Sequence, residues 1–115
     1  MLAIRISLDA RTDIIDILNY TERRFGASGR RRYQGLLQAA LKSLSNEPER
    51  IGSTSRDEIA PGLRSLHLFF CRGEASTGRV IKPRHVVIYR YSEQAVEIVR
   101  ILHEAMELER HLPMK

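Results

Sequence analysis

Three apolar runs in the second half of the sequence constrain the fold more than any other feature, because Arg or His borders each of them. The runs cover residues 63–70, 84–91 and 96–102, and their content of Val, Ile, Leu, Phe and Tyr is typical of β-strands. Residues 92–95 form a connection that is short enough for a hairpin. The pattern therefore predicts a three-stranded antiparallel meander with a cationic rim.

The first half of the sequence predicts one strand followed by two helices. Residues 2–7 alternate apolar and polar side chains, which indicates a strand with one buried face. Ser7 or Asp9 can cap the helix that follows, and Gly26 can end it. A second helix is indicated by apolar residues at helical spacing, namely Tyr33, Leu36, Leu37, Ala40, Leu41 and Leu44. A short turn at 26–29 pairs the two helices as an antiparallel hairpin.

The remaining segments complete the expected architecture. Residues 47–61 are polar and are predicted to be irregular. Residues 73–83 are predicted to form a long loop with a flexible tip at 73–79. Residues 104–112 have a helix-favouring composition and are predicted to form a short C-terminal helix. Because strand-rich and helix-rich segments are segregated, the predicted class is α+β. A length of 115 residues suits a single domain that spans residues 1–115.

Composition limits the cellular compartments and the classes of partner that are expected. The chain has 19 Lys and Arg residues against 14 Asp and Glu residues, a formal net charge of +5, which suits an acidic protein, a nucleic acid or a ribonucleoprotein as partner. Cys71 is the one cysteine, so the fold needs no internal disulfide. Without a signal-peptide pattern or a bilayer-length apolar run, a cytoplasmic location is expected, with no membrane partner. Without a phosphate-binding loop, no cofactor is expected.

The order of elements and the residue details together resemble the ParE branch of the RelE/ParE toxin superfamily. The resemblance covers nearly the whole chain and depends on common residues found together in this order: Ser7, Ala10, Asp13, Ile14, Ile17, Tyr20, Phe25, Gly26, Tyr33, Leu37, Leu41, Leu44, Pro48, Pro61, Gly62, Leu63, Arg64, Arg84, His85, Ile88, Tyr89, Arg90, Ile98, Val99, Arg100, Ile101, Leu102 and His103. The resemblance implies a small basic toxin that acts on DNA gyrase, blocks replication and is neutralised by a cognate ParD-like antitoxin. It also implies a toxin–antitoxin hetero-oligomer, and no sequence-specific nucleic-acid binding by the toxin alone.

An antitoxin-binding surface is the site that the resemblance and the charge pattern predict. We expect the antitoxin to place a helix in the groove of the helical hairpin and an extended segment along the sheet. The predicted contact residues are Ile14, Leu18, Tyr33, Leu37, Arg64, Arg84, His85 and Arg90. For Arg64 and Arg90, a structural ion pair at the sheet rim explains the sequence equally well.

Two alternatives have a different chemistry. The related RelE branch cleaves messenger RNA on the ribosome, and such a ribonuclease needs an acid, a base and clustered cations. His67, His85 or His103 could transfer protons, but the sequence has three lysines and no clear match to a RelE-type cluster, so no catalytic residue is assigned. A degenerate toxin that only binds antitoxin also fits the sequence.

Two other patterns are better explained as structure than as sites. His103, Glu107 and His111 have helical spacing, but the two histidines would lie about 12 Å apart along a helix, too far to share a metal ion. Residues 30–32 are three arginines that spread around a helix instead of forming a stripe. No metal site and no nucleic-acid patch are therefore predicted.

Overall fold

The computed structural model describes residues 1–106 and 108–112, with Glu109 described by its backbone only. Its elements are β1 (Ala3–Ile6), α1 (Leu8–Asn46), β2 (Ser53–Ser55), β3 (Arg64–His67), a 3-10 helix (Leu68–Cys71), β4 (His85–Tyr91), β5 (Ala95–His103) and α2 (Leu108–His111). The predicted α+β class is confirmed. No helix in the described residues is both long enough and apolar enough to cross a membrane.

Helix α1 begins at a side-chain cap and bends sharply at one residue. The Ser7 hydroxyl accepts a hydrogen bond from the Ala10 backbone N–H at 3.0 Å. Gly26 has φ 77° and ψ −178°, which interrupts the helix, as the sequence predicted. The predicted connection at 26–29 is wrong in its extent, because Gly26 alone has non-helical angles within α1 and Gly29 is already helical.

The bend at Gly26 folds α1 back on itself. A straight helix of 39 residues would be about 58 Å long, whereas the longest extent of the molecule is 38 Å. Arg30 also donates a hydrogen bond to Asn19 at 3.1 Å and forms an ion pair with Glu22 at 3.0 Å. The two arms, residues 8–25 and 27–46, therefore run side by side near the bend.

The sheet has more strands than predicted. Within the described residues its order is β1-β5-β4-β3-β2, with β1 parallel to β5 and the other pairs antiparallel. The predicted three-stranded meander is therefore incomplete. Strand β2 comes from the segment predicted to be irregular, because three polar residues show no apolar alternation and pair only through the ladder to β3.

Two predicted element boundaries are also wrong. The strand predicted over 63–70 ends at His67, whose Nδ1 accepts a hydrogen bond from the Phe69 N–H at 3.0 Å and starts a 3-10 turn. The helix predicted over 104–112 is shorter, because residues 104–106 form a turn and α2 begins at Leu108.

The core has two parts, and alternation along the strands separates them. Val87 and Ile101 belong to the larger cluster with the buried residues of α1, whereas the adjacent Ile88 and Leu102 belong to a smaller cluster. The buried Leu112, which follows α2, packs into this smaller cluster. Helix α1 thus covers one side of the sheet and the C-terminal segment covers part of the other.

Candidate functional site

The predicted apolar contact residues lie mainly in the core. Leu18, Tyr33 and Leu37 are buried, with exposures of 6%, 7% and 3%, and Ile14 is partly buried against the same cluster. These residues therefore hold the arms of α1 on the sheet and offer little free surface.

The predicted cationic residues lie at different places on the sheet. Arg64 donates a hydrogen bond from Nε to the Ser53 hydroxyl at 2.8 Å, so it is fixed at the β2–β3 rim. Arg90 lies opposite Glu97 near the far end of β4. His85, in contrast, begins β4, next to Arg84. The structure therefore brings Tyr33, Arg84 and His85 together and leaves Arg64 and Arg90 outside this group.

A groove of about 790 Å³ lies over that group, between the bend of α1 and the loop that precedes β4. Tyr20 and Phe25 form its wall on the side of α1, and Val80 and Ile81 form its wall on the side of the loop. Tyr33, His85 and His103 also line it, at the end of the sheet. We call this cavity the bend groove.

Cationic side chains surround the bend groove. They are Arg32 on α1, Arg79 and Lys82 on the loop, and Arg84 at the start of β4. Arg79, Lys82 and Arg84 are exposed. The sequence identified Arg84 alone among the four, since loop residues without periodicity give no sign that they face a helix bend. Phe25, directly before the bend, is 63% exposed.

Tyr33 and His85 are linked by a short hydrogen bond at the base of the groove. The Tyr33 hydroxyl accepts from the Arg84 backbone N–H at 3.2 Å, and it lies 2.6 Å from His85 Nδ1. The tautomer of His85 sets which of the two donates in that pair. Burial raises the pKa of Tyr33 to about 12, and burial together with the neighbouring His103 lowers the pKa of His85 to about 4. Both side chains are neutral at pH 7.

Glu104 joins two further groups beside the groove. Its carboxylate lies 2.8 Å from Arg84 Nη1 and 2.7 Å from His67 Nε2. Hydrogen bonds from Arg84 and His67 lower the pKa of Glu104 to about 2, so it is ionised under all ordinary conditions. The other ring nitrogen of His67 accepts from the Phe69 N–H. Both nitrogens of His67 are thus engaged within the protein.

His103 and Cys71 are the other groups in this region that could react. His103 Nδ1 accepts from the Ala105 N–H at 3.0 Å. Cys71 is buried, and burial raises the pKa of its thiol to about 11, so the nucleophilic thiolate is disfavoured. No cluster of three or more potential metal ligands occurs in the described residues, and Glu107 of the rejected helical metal pattern lies outside them.

The fold is shared with toxins of solved toxin–antitoxin systems. A chain of the chromosomal ParDE system from P. aeruginosa superposes with a TM-score of 0.64 at 17% identity, covering 90% of this chain and 96% of that one. The E. coli DinJ–YafQ complex contains a chain with a TM-score of 0.51 at 13% identity, covering 91% and 96%. These likenesses show that the chain shares the fold of proteins in solved toxin–antitoxin systems.

Sequence comparison gives the family. The model of the ParE toxin of the type II toxin–antitoxin system parDE matches residues 4–108, and the chain belongs to this family. It is 33% identical to Toxin ParE1 of Caulobacter vibrioides over 109 residues, covering 94% of this chain and 95% of the relative. It is 32% identical to Toxin ParE1 of Mycobacterium tuberculosis over 108 residues, covering 93% and 94%. The predicted family is confirmed.

Proposed function

We propose that this ParE-type toxin acts by binding DNA gyrase in the cytoplasm, blocks replication without catalysing a reaction, and is neutralised by a ParD-like antitoxin. Family membership supports this proposal, because gyrase inhibition is what the ParE resemblance implies. The solved structures of the same fold come from a ParDE system and a DinJ–YafQ toxin–antitoxin complex, which supports an antitoxin partner.

One observation carries the non-catalytic part of the proposal: internal hydrogen bonds engage the histidines that could act as acid or base. Both ring nitrogens of His67 are engaged, and Nδ1 of His103 accepts a backbone N–H. His85 Nδ1 is hydrogen-bonded to the Tyr33 hydroxyl, and its low pKa makes the neutral form a weak base. These hydrogen bonds tie the three side chains to the end of the sheet.

The antitoxin surface is proposed on the cationic residues at the sheet rim. Arg64, Arg84 and Arg90 would meet carboxylates of the antitoxin, with His85 beside Arg84. The buried Leu18, Tyr33 and Leu37 and the partly buried Ile14 would support this surface from beneath. Replacing Arg64 or Arg90 with Glu should weaken antitoxin binding in calorimetry, and unchanged affinity for both variants would remove them from the surface.

The test of the proposed activity is induction of the chain alone in a bacterial host, with labelled precursors of DNA and protein followed over the first minutes. We expect DNA synthesis to fall first, together with a DNA-damage response. Normal synthesis of both would instead indicate a degenerate toxin. Co-expression of the antitoxin should restore DNA synthesis.

A RelE-type ribonuclease is the second candidate, and the meeting of Tyr33, Arg84, His85 and His103 at one groove favours it. An immediate fall in protein synthesis would support it. Cleavage of ribosome-bound message that is lost in the His85→Ala and His103→Ala double variant would establish it.

A further inference from the structure

The positive charge of the protein is concentrated in two segments of the sequence. Residues 22–32 and 77–84 contain eight of the 19 Lys and Arg residues but only one of the 14 Asp and Glu residues. The rest of the sequence therefore has 11 basic residues against 13 acidic ones. The formal net charge of +5 thus arises from these two segments alone.

The fold brings the two charged segments together at the bend of α1. Arg32 of the first segment and Lys82 of the second both line the bend groove. The side chain of Arg32 also lies against the loop, because its Cδ would be 3.1 Å from a Cβ atom added to Gly78. We call the surface formed by residues 22–32 and 77–84 the cationic end.

Several basic side chains of the cationic end are accessible to a partner. Arg23, Arg24, Arg31, Arg79 and Lys82 are all exposed. None of these five side chains forms an ion pair within the part of the chain that the structure describes. Their charge therefore faces solvent and can act on a molecule outside the protein.

The carboxylates near the cationic end are already engaged, and its arginines do not stabilise the fold by themselves. Glu22 pairs with Arg30 at 3.0 Å, and Glu104 pairs with Arg84 at 2.8 Å. The three consecutive arginines at 30–32 lie near the start of the second arm of α1, where positive charge opposes the helix dipole. An external anion would relieve this repulsion.

The side-chain composition of the cationic end indicates phosphate groups as its ligands. Seven of its eight basic residues are Arg, whose planar guanidinium forms bidentate hydrogen bonds with phosphate. Basic residues clustered on one part of a domain are the electrostatic footprint of nucleic-acid binding. Contacts between such residues and the phosphate backbone hold a protein on a duplex without reading its sequence.

We propose that the cationic end binds the phosphate backbone of duplex DNA without sequence preference. The inference rests on the proposed function, because a toxin bound to DNA gyrase would lie beside the duplex on which gyrase acts. From the sequence no nucleic-acid patch was predicted, since the arginines at 30–32 spread around one helix. The bend of α1 and the loop place further basic residues next to them, and these complete the surface.

The experiment measures binding of the full-length chain alone to a fluorescently labelled, mixed-sequence DNA duplex by fluorescence anisotropy. Salt is varied between about 50 and 200 mM, because each phosphate that is neutralised releases counterions. We expect the logarithm of the association constant to fall linearly with the logarithm of the salt concentration, with a slope of about −4. No binding at the lowest salt concentration would overturn the inference.

A matched pair of variants locates the DNA contact. Arg79→Gln with Lys82→Gln removes two charges from the cationic end, and Arg5→Gln with Lys42→Gln removes two charges at exposed residues outside it. We expect the slope of the first variant to be about −2 and its affinity at the lowest salt concentration to fall about tenfold or more. The second variant should keep the wild-type slope. Equal slopes for the two variants would overturn the inference.

Two further measurements separate this inference from its alternatives. Competition with a single-stranded RNA of equal phosphate content should displace the duplex poorly, because a single strand has a lower charge density. RNA that binds about tenfold more tightly than the duplex, with binding lost in the Arg79→Gln and Lys82→Gln variant, would assign the cationic end to RNA and overturn the inference. Inhibition of gyrase supercoiling by a chain that does not bind the duplex would refute the inference while the proposed function stands. Duplex binding with the expected slope, but without inhibition, would support the DNA contact and refute the gyrase target.

Discussion

Asp13 on α1 and Arg100 on β5 form a two-point ion pair across 87 residues of sequence. Arg100 donates from Nε to Oδ2 at 2.8 Å and from Nη2 to Oδ1 at 2.9 Å, and the Ile101 backbone N–H donates to the same carboxylate at 2.9 Å. Arg100 also donates to the His111 carbonyl at 2.9 Å. One carboxylate and one guanidinium thus link the first helix, the interior strand β5 and the C-terminal helix.

Loss of the Asp13 carboxylate should destabilise the fold. The two side chains are only 13% and 22% exposed, so Asp13→Ala leaves a largely buried guanidinium without its charge partner. We expect the free energy of unfolding in urea to fall by about 2–3 kcal/mol, somewhat less than for a fully buried pair. Asp16→Ala, at an exposed position on the same helix, should change it by about 0.5 kcal/mol or less. Similar losses for the two variants would show that the pair contributes little.

The stability of the protein should fall as the medium becomes mildly acidic, because of His85. Its pKa is lowered from 6.5 to about 4, so the unfolded chain binds a proton that the folded protein excludes. The stabilisation is complete above pH 6.5 and is lost as the pH falls towards 4, by up to about 3 kcal/mol. Urea unfolding between pH 7 and pH 5 measures this slope before Glu104 begins to titrate.

Replacement of His85 isolates its contribution to the pH dependence. His85→Gln retains an acceptor for the Tyr33 hydroxyl and should flatten the slope. His111→Gln, at an exposed residue, should leave the slope unchanged. A wild-type slope in His85→Gln would mean that another group causes the effect.

The backbone angles at the bend of α1 should make glycine necessary at residue 26. A Cβ atom there would have nothing within 4 Å, yet φ 77° with ψ −178° belongs to a region that is essentially restricted to glycine. Gly26→Ala should therefore lower the free energy of unfolding by about 1–3 kcal/mol. Gly73→Ala, equally uncrowded and at ordinary φ, should have little effect. Unaltered stability of Gly26→Ala would argue against this geometry.

The contact between Gly35 and Thr77 should reverse the usual effect of a glycine-to-alanine change in a helix. Alanine normally stabilises a helix by about 1 kcal/mol relative to glycine. Here the new methyl group would collide with Thr77, so Gly35→Ala should destabilise the protein by about 1–2 kcal/mol. In a Thr77→Gly background the same change should be stabilising. Thermal unfolding of the wild type, the two single variants and the double variant gives the coupling energy between residues 35 and 77. Additive effects would show that the loop at 77–82 does not pack on Gly35.

Much of the fold could be predicted because its signals are periodic. The apolar stripe from Tyr33 to Leu44, the glycine at the bend and the apolar runs of β4 and β5 were sufficient for the class. Strand β2 could not be predicted, since its three polar residues gain their structure from pairing with β3. The early end of β3 depends on a hydrogen bond that the His67 side chain accepts from the Phe69 N–H, which no periodicity reveals.

The candidate site was less accessible to sequence reasoning. Periodicity identifies which residues face the core, and so Leu18, Tyr33 and Leu37 were chosen as contacts although the monomer buries them. The loop at 77–82 has no periodicity. Its Thr77 packs against Gly35, and Arg79 and Lys82 of the same loop line the groove. The sequence therefore indicated which residue types form the surface, namely Arg and aromatic residues, better than it indicated where on the fold that surface lies.

The most direct test of the account is the supercoiling of relaxed plasmid by purified DNA gyrase in the presence of this chain. We predict that supercoiling is lost as the chain is added, that antitoxin restores it, and that the His85→Gln and His103→Gln variants still inhibit, because inhibition depends on binding and not on proton transfer. Full supercoiling with the chain in excess, together with cleavage of ribosome-bound message that requires His85 or His103, would contradict the account and establish a ribonuclease.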